Sequence, residues 1–441
     1  MDQTSPSQTP APQQPVPRRK ALIVGGGVAG PALALFLQRA GIEAAVFEAR
    51  SAAEEDAGFF LNLGPNGVNV LKLLGIDARA EADGVPTLGM TFYNGRGRRI
   101  AEIDSRGDEQ RYGASGVILK RSRLHRALRD AATRHGIRVE HQKKLVDVEL
   151  VDRLELNGHG ADDRLGAGQL ADGQQVVVHF EDGSFERGDF LIGADGLHSR
   201  TRQLILPEAQ RPTYSGFVDC GGFAYPSPAL PVTGRMQMTF GRRAFFGSVA
   251  KPDGEVCWFS NLRWPQEPRR GELAALSDEE WRRLLLEAHA DDHEPIPTLI
   301  RSTPGPLGRW GVYELPSLPT WHRGPVGLIG DAAHAASPHM GQGASTALED
   351  ALVLARCLRD AHDVTRAFAA FESLRRERVE RIVELARRNG QQKAITNPIG
   401  GFIRDLMLPL FIKLGGSPDW LYGYRLEREA PAVEPASAMG C

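Results

Sequence analysis

An unbroken apolar run at 21–24, entered from Arg18, Arg19 and Lys20, predicts a buried strand that ends in three consecutive glycines. Helical spacing follows over 32–39, with Leu33, Phe36 and Leu37 on one face and Gly41 as the stop. A second strand is predicted at 44–47, ending in Glu48. The strand–turn–helix texture returns twice. At 190–202 an apolar strand ends at Asp195-Gly196, and polar residues open a helix. At 326–355 a strand over 326–329 meets Gly330-Asp331, and a long helix starts near Gly343. Its apolar stripe is Ala347, Leu348, Ala351, Leu352 and Ala355. Each of these later units delivers a carboxylate to a strand end, where ligands of open α/β folds collect.

Between the second and third units the period changes. Over 234–264, Met236, Met238 and Phe240 fall on one face and Gln237 and Thr239 on the other. A turn at Pro252-Asp253-Gly254 leads into 256–262, which predicts an antiparallel sheet with one apolar face. The apolar side of that sheet is either plain core or the wall of a pocket. A similar hairpin at 174–190 turns at Asp182-Gly183. Residues 363–388 predict a helix capped by Asp363, with acidic and basic residues interleaved on a solvated outer face. The apolar stretch 402–414 is interrupted by Arg404, Asp405 and Lys413, so an amphipathic helix packed on the body is expected rather than a membrane anchor.

The length of 441 residues implies two domains. The 53 basic and 55 acidic residues nearly cancel, which argues against a nucleic-acid partner. Cys220, Cys257, Cys357 and Cys441 are scattered without a C-x-x-C pair, so no metal site is expected and a reducing, cytoplasmic location fits. Residues 1–19, rich in Pro, Gln, Ser and Thr, lack the apolar core of a signal peptide and read as a disordered tail.

Gly25, Gly27 and Gly30 form G-x-G-x-x-G around Val28 and Ala29. Gly25 permits a tight turn, Gly27 lets a pyrophosphate approach the backbone, and Gly30 lets helix and strand pack closely. Glu48, eighteen residues beyond Gly30, can accept from ribose hydroxyls. Dinucleotide binding follows, with NAD and FAD both open at this point.

The ordered set of motifs resembles the single-component FAD-dependent aromatic hydroxylases, the group A flavoprotein monooxygenases related to para-hydroxybenzoate hydroxylase. Their middle motif matches Asp195, Gly196, Ser199 and Arg202, and their late motif matches 330–334 and 338–343. The segments 64–76 and 119–128, with Arg121 and Leu124, match too. One departure is Ser345, where many relatives carry Asn.

The resemblance implies an α/β chain. A discontinuous Rossmann-like FAD-binding domain would comprise 20–90, 112–208 and 304–395. An antiparallel β-sheet substrate domain would comprise 91–111 and 209–303, followed by a C-terminal helical segment at 396–430. It assigns FAD contacts to Gly25, Gly27, Val28, Ala29, Gly30, Glu48, Arg50 and Gly58 near the N-terminus. Further contacts would come from Arg121, Leu124 and Asp195, then Gly330, Asp331, Pro338, Gly341, Gly343 and Ala344. Arg121 is alternatively ordinary surface charge. Met236, Met238, Phe240, His339 and Met340 are the substrate candidates, although His339 and Met340 could simply fill their turn. His334 is expected to be structural.

The flavin would carry the chemistry, with no catalytic side chain assigned. NADPH or NADH would reduce it, O2 would give a C4a-hydroperoxide, and one oxygen atom would pass to a small aromatic or polycyclic, polyketide-like substrate. A dehydrogenase, reductase or halogenase on the same fold is the alternative, as is a binding protein without catalysis. A monomer and a dimer are equally compatible with the sequence.

Overall fold

The apolar run at 21–24 becomes a central strand of a six-stranded sheet. In this computed structural model, which describes residues 19–51, 59–78, 83–152, 174–225, 230–393, 397–414 and 419–424, the strand spans Lys20–Val24. Residues 1–18 of the expected tail, Gly58 and Cys441 lie outside the described residues. Glu43–Phe47 and Phe190–Gly193 flank the strand in parallel. Arg138–Glu140 and Val326–Leu328 extend that order, and His322–Arg323 closes one edge antiparallel. Strands covered on both faces need continuous apolar runs rather than alternation, as the sequence has here. Because three of these strands run the same way, Gly25, Asp195 and Asp331 emerge at the same C-terminal end of the sheet.

A seven-stranded sheet forms the second layer. Its order is Gly308–Glu314, Thr213–Ala224, Val256–Arg263, Ala244–Ala250, Arg235–Phe240, Gly89–Asn94, Arg99–Asp104. Neighbours are antiparallel except Arg235–Phe240 against Gly89–Asn94, which is parallel. The turn at Gly254 (φ 88°) joins its hairpin as expected, and Gly183 (φ 81°) does so in the separate hairpin of Gln174–Phe180 and Phe185–Gly188. The expectation of a single apolar face is corrected. All of Ala244–Ala250 is buried, because the helices Asp278–Ala288 and Ile296–Ser302 cover the outer face around Trp258 and Trp281.

The inner face carries Met236, Met238 and Phe240 and is partly covered by the C-terminal helix Pro398–Leu414. That helix is amphipathic in the expected sense. Leu408 is buried, and the Arg404 guanidinium sits 4.3 Å above the Phe240 ring. Its outer side leaves Ile399 and Phe402 exposed. Among the described residues no helix is long and apolar enough to cross a membrane.

The helix predicted at 363–388 spans Val364–Lys393. Asp363 Oδ1 caps it, accepting from the Thr365 and Arg366 N–H groups at 2.7 and 3.2 Å. Its charges are not all solvated, however. Glu372, Arg376, Glu380, Glu384 and Arg387 pair along the outer side, but Arg375 is fully buried and Arg378 points inward.

Candidate functional site

The glycine turn separates into positions the protein needs and one it does not. Gly25 has φ 115°, and a Cβ there would lie 2.2 Å from the Ala194 carbonyl oxygen. A Cβ on Gly30 would lie 2.0 Å from the Gly25 carbonyl oxygen. Both glycines are therefore dictated by backbone packing. A Cβ on Gly27 would meet nothing within 4 Å, so the chain leaves open a space that a pyrophosphate could occupy. The helix Ala29–Arg39 starts at Val28 without a side-chain cap or an acid in its first turn. Its leading N–H groups and positive dipole end thus remain available to an anion.

Glu48 closes the other side. Its Oε2 accepts from the Gly26 N–H at 2.7 Å and its Oε1 from the Arg50 N–H at 2.9 Å. Each oxygen keeps acceptor capacity for a hydroxyl. Arg50 and Arg121 are exposed, and Arg121 Nε lies 3.4 Å from His125 Nε2. Burial, reinforced by Arg121 and then Arg50, pushes His125 down to about 3. This corner is positive and suits a diphosphate. Leu124 is fully buried and anchors the helix Arg121–Arg134.

Asp195 acts on its own turn. It accepts from Ser199 Oγ at 2.5 Å and from the Thr201 N–H and Oγ1 at 2.9 and 3.0 Å. Burial nonetheless raises its pKa against those bonds. Arg202, buried, donates to the Ala332 carbonyl at 2.8 Å and the Leu197 carbonyl at 2.6 Å, tying the middle motif to the late one. Asp331 is exposed at the start of Asp331–His334. A Cβ on Gly330 would touch Ala347 at 3.4 Å and Ala29 at 3.5 Å, so the glycine-rich motif and the late motif meet at that residue.

The turn Pro338–Met340 and Gly341 (φ 61°) feed the helix Gly343–Asp360, which also begins without a side-chain cap or first-turn acid. Gly343 and Ala344 lead it, with Asp331 Oδ1 3.8 Å from where a Gly343 Cβ would stand. Ser345 is fully buried and accepts from the Gly64 N–H at 3.1 Å. It therefore holds the helix Pro65–Leu74 close.

Beneath this helix lies an ion network that sequence reasoning missed. Asp350 Oδ2 accepts from the Gly330 N–H at 3.0 Å and pairs with His334 Nε2 at 2.6 Å, while its Oδ1 pairs with Arg375 Nε at 2.8 Å. Glu349 holds both Arg375 and Arg378 at 2.7 Å, and accepts from Asn66 Nδ2 at 2.7 Å. Burial would raise Asp350, but His334 and Arg375 outweigh it and hold the group at about 2. His334 is buried within this network. The available signal was two adjacent acids set inside the apolar stripe between Leu348 and Ala351.

Met236, Met238 and Phe240 share the inner sheet face, with Thr239 on the other side near His293 Nε2 at 3.3 Å. Strand register adds Phe217, Asp219, Phe245, Phe259 and Asn261 to that inner face. His339 meets it: its ring lies 5.7 Å from Phe217, and Nδ1 is 3.2 Å from Lys393 Nζ. Met340 Sδ accepts from Asn389 at 3.0 Å. Met238→Trp is expected to change turnover or product distribution while leaving flavin content intact. Thr239→Trp should instead cost roughly 1–3 kcal/mol of stability by overpacking. Melting temperature, flavin content and products of both variants check this.

On the outer face, Ser260 Oγ lies 2.7 Å from His289 Nε2, and His289 Nδ1 lies 2.7 Å from Asp292. This chain resembles a nucleophile triad, but Ser260 and His289 are fully buried. It clamps the helix Asp278–Ala288 to the sheet.

The family described as FAD binding domain matches residues 18–388. The chain is 30% identical to aurachin C monooxygenase/isomerase of Stigmatella aurantiaca, covering 88% of this chain and 93% of the relative. It is 31% identical to 6-hydroxynicotinate 3-monooxygenase of Pseudomonas fluorescens, covering 94% and 96%. Klebsiella pneumoniae HpxO complexed with FAD and uric acid superimposes with TM-score 0.74 at 25% identity, covering 92% and 95%.

Proposed function

Because the chain belongs to the FAD binding domain family, we propose that it is an NAD(P)H- and O2-dependent monooxygenase of a small aromatic or polycyclic substrate. The observation that carries the reading is the convergence of an open glycine cradle, two uncapped helix N-termini and an aromatic-lined sheet face. FAD, when bound, supplies electron transfer from the nicotinamide and activation of O2.

The residues divide the work of holding it. Gly27 and the start of Ala29–Arg39 would take the pyrophosphate, with Arg50 and Arg121 balancing its charge. Glu48 would accept from the ribose and Asp331 from the ribityl chain. The N-terminus of Gly343–Asp360 would stabilise negative charge on the pyrimidine edge of the reduced ring. Asp195 would act indirectly, by shaping the loop against the glycine turn. We assign the seven-stranded sheet, including Gly308–Glu314, to the substrate domain and the six-stranded sheet to the FAD domain. The buried thiols of Cys220, Cys257 and Cys357 support a cytoplasmic enzyme.

No second glycine-rich dinucleotide motif occurs in the chain, so the nicotinamide would approach the flavin transiently. A true substrate is therefore expected to accelerate flavin reduction well above the substrate-free rate. Stopped-flow reduction across a panel of hydroxylated mono- and bicyclic aromatics checks it. Equal rates with and without every compound would count against the proposal.

A further inference from the structure

Lys393 is the last residue of the helix Val364–Lys393, and its amine lies under the inner sheet face. It donates to Asn261 Oδ1 at 2.9 Å and lies 3.2 Å from His339 Nδ1. The Phe245 ring is 4.1 Å away and the Phe259 ring 5.6 Å. These immediate partners are all neutral. Asp219 is reached through Asn261, whose Nδ2 donates to its Oδ1.

A buried charge is ordinarily matched by a direct, well-formed ion pair. Here an amide stands between ammonium and carboxylate, so the ammonium field is only partly cancelled where it meets the aromatic wall. Burial pushes Lys393 down and Asp219 up, each opposed by the other's charge, as expected of a pair held short of contact. Burial, with Lys393 adding, also lowers His339 to about 3, leaving a neutral imidazole that can accept from the lysine. The position matters as much as the charge. His339 belongs to the turn that delivers the helix Gly343–Asp360, so the ammonium lies beside the proposed ring end of the cofactor site.

Resting on the proposed function, we infer that Lys393, held by Asn261 and His339, selects substrates bearing an ionised ring oxygen and takes up its negative charge. An ionised hydroxyl enriches the ortho and para carbons, the positions an electrophilic oxygen attacks. A cation in an aromatic wall binds that form and orients it, which favours a phenolate or an enolised heteroaromatic over a neutral ring.

The test uses flavin-loaded protein with 4-nitrophenol and a nitronaphthol as probes, and nitrobenzene as the uncharged control. Just below each phenol's own pKa, wild type is expected to raise the visible phenolate band. Lys393→Met should weaken phenolate binding roughly ten- to hundredfold and leave nitrobenzene binding unchanged. Lys393→Arg should retain most of the phenolate preference. Asp219 can protonate once its ammonium is gone. If Lys393→Met still folds poorly, the Lys393→Met/Asp219→Asn double variant removes both charges and is expected to show the same loss. Phenolate binding by the methionine variants as tight as wild type would overturn the inference. So would a wild type that prefers neither phenolate over nitrobenzene. Flavin content and O2-dependent NAD(P)H consumption, read on the same preparations, separate that failure from failure of the proposed function.

Discussion

Gly27→Val is expected to yield a folded protein that purifies largely without FAD. A Cβ at this position meets no protein atom within 4 Å, so the free chain has room for the side chain. The cofactor does not, because the same space borders the uncapped start of Ala29–Arg39. The comparison that sharpens the result is Gly30→Ala. There the added atom would sit 2.0 Å from a backbone oxygen, and backbone cannot swing aside as a side-chain tip can. Gly30→Ala should therefore lose roughly 1–3 kcal/mol of stability as well as flavin. Flavin absorbance per chain and the melting temperature of the apoprotein report both effects. Full flavin occupancy in Gly27→Val would remove the basis for the cofactor site.

Arg375→Met should be the most destabilising single substitution considered for this chain, at about 3–5 kcal/mol. The guanidinium is fully buried between Glu349 and Asp350, and removing it strands two carboxylates. Arg378, Asn66 and His334 remain as partial compensation, which favours the lower end of that range. Asp350 also holds the Gly330 N–H, so flavin affinity should fall together with stability. Adding Asp350→Asn to Arg375→Met should cost less than the two single effects summed, since one of the two stranded charges disappears.

The acid side follows from the same group. Asp350 is held at about 2, below the roughly 3.9 of an unfolded Asp, so its stabilising contribution is complete above about pH 4. The contribution declines as pH falls through the native value. Acid titration of melting temperature should be shallower in that window for Arg375→Met.

The cofactor motifs were legible because their chemistry is local. A strand buried on both faces needs a continuous apolar run, and the turn after it needs glycine where backbone meets backbone, as at Gly25 and Gly30. The alternation over Met236, Met238 and Phe240 likewise sorted those residues to one face. What alternation could not express was the strand beside them. Gly89–Asn94 comes from far upstream and pairs in parallel.

Charged residues were the harder class. Arg375, Arg376 and Arg378 carry the same charge within one helical turn, and only tertiary contact decides which of them faces Asp350. Lys393 ends an unremarkable Gln-Gln-Lys segment and gains its meaning from Asn261, more than a hundred residues away along the chain. Ser345, where many relatives carry Asn, likewise finds its partner far away along the chain, in the Gly64 backbone.

Oxygen transfer by a flavin held in the glycine cradle is tested by turnover of an accelerating aromatic substrate under isotopically heavy O2 with NAD(P)H, followed by product mass. One heavy oxygen atom per product molecule is expected, with the other reduced to water, and no such product from Gly27→Val. A product free of the label, formed at the same rate without O2, would contradict it.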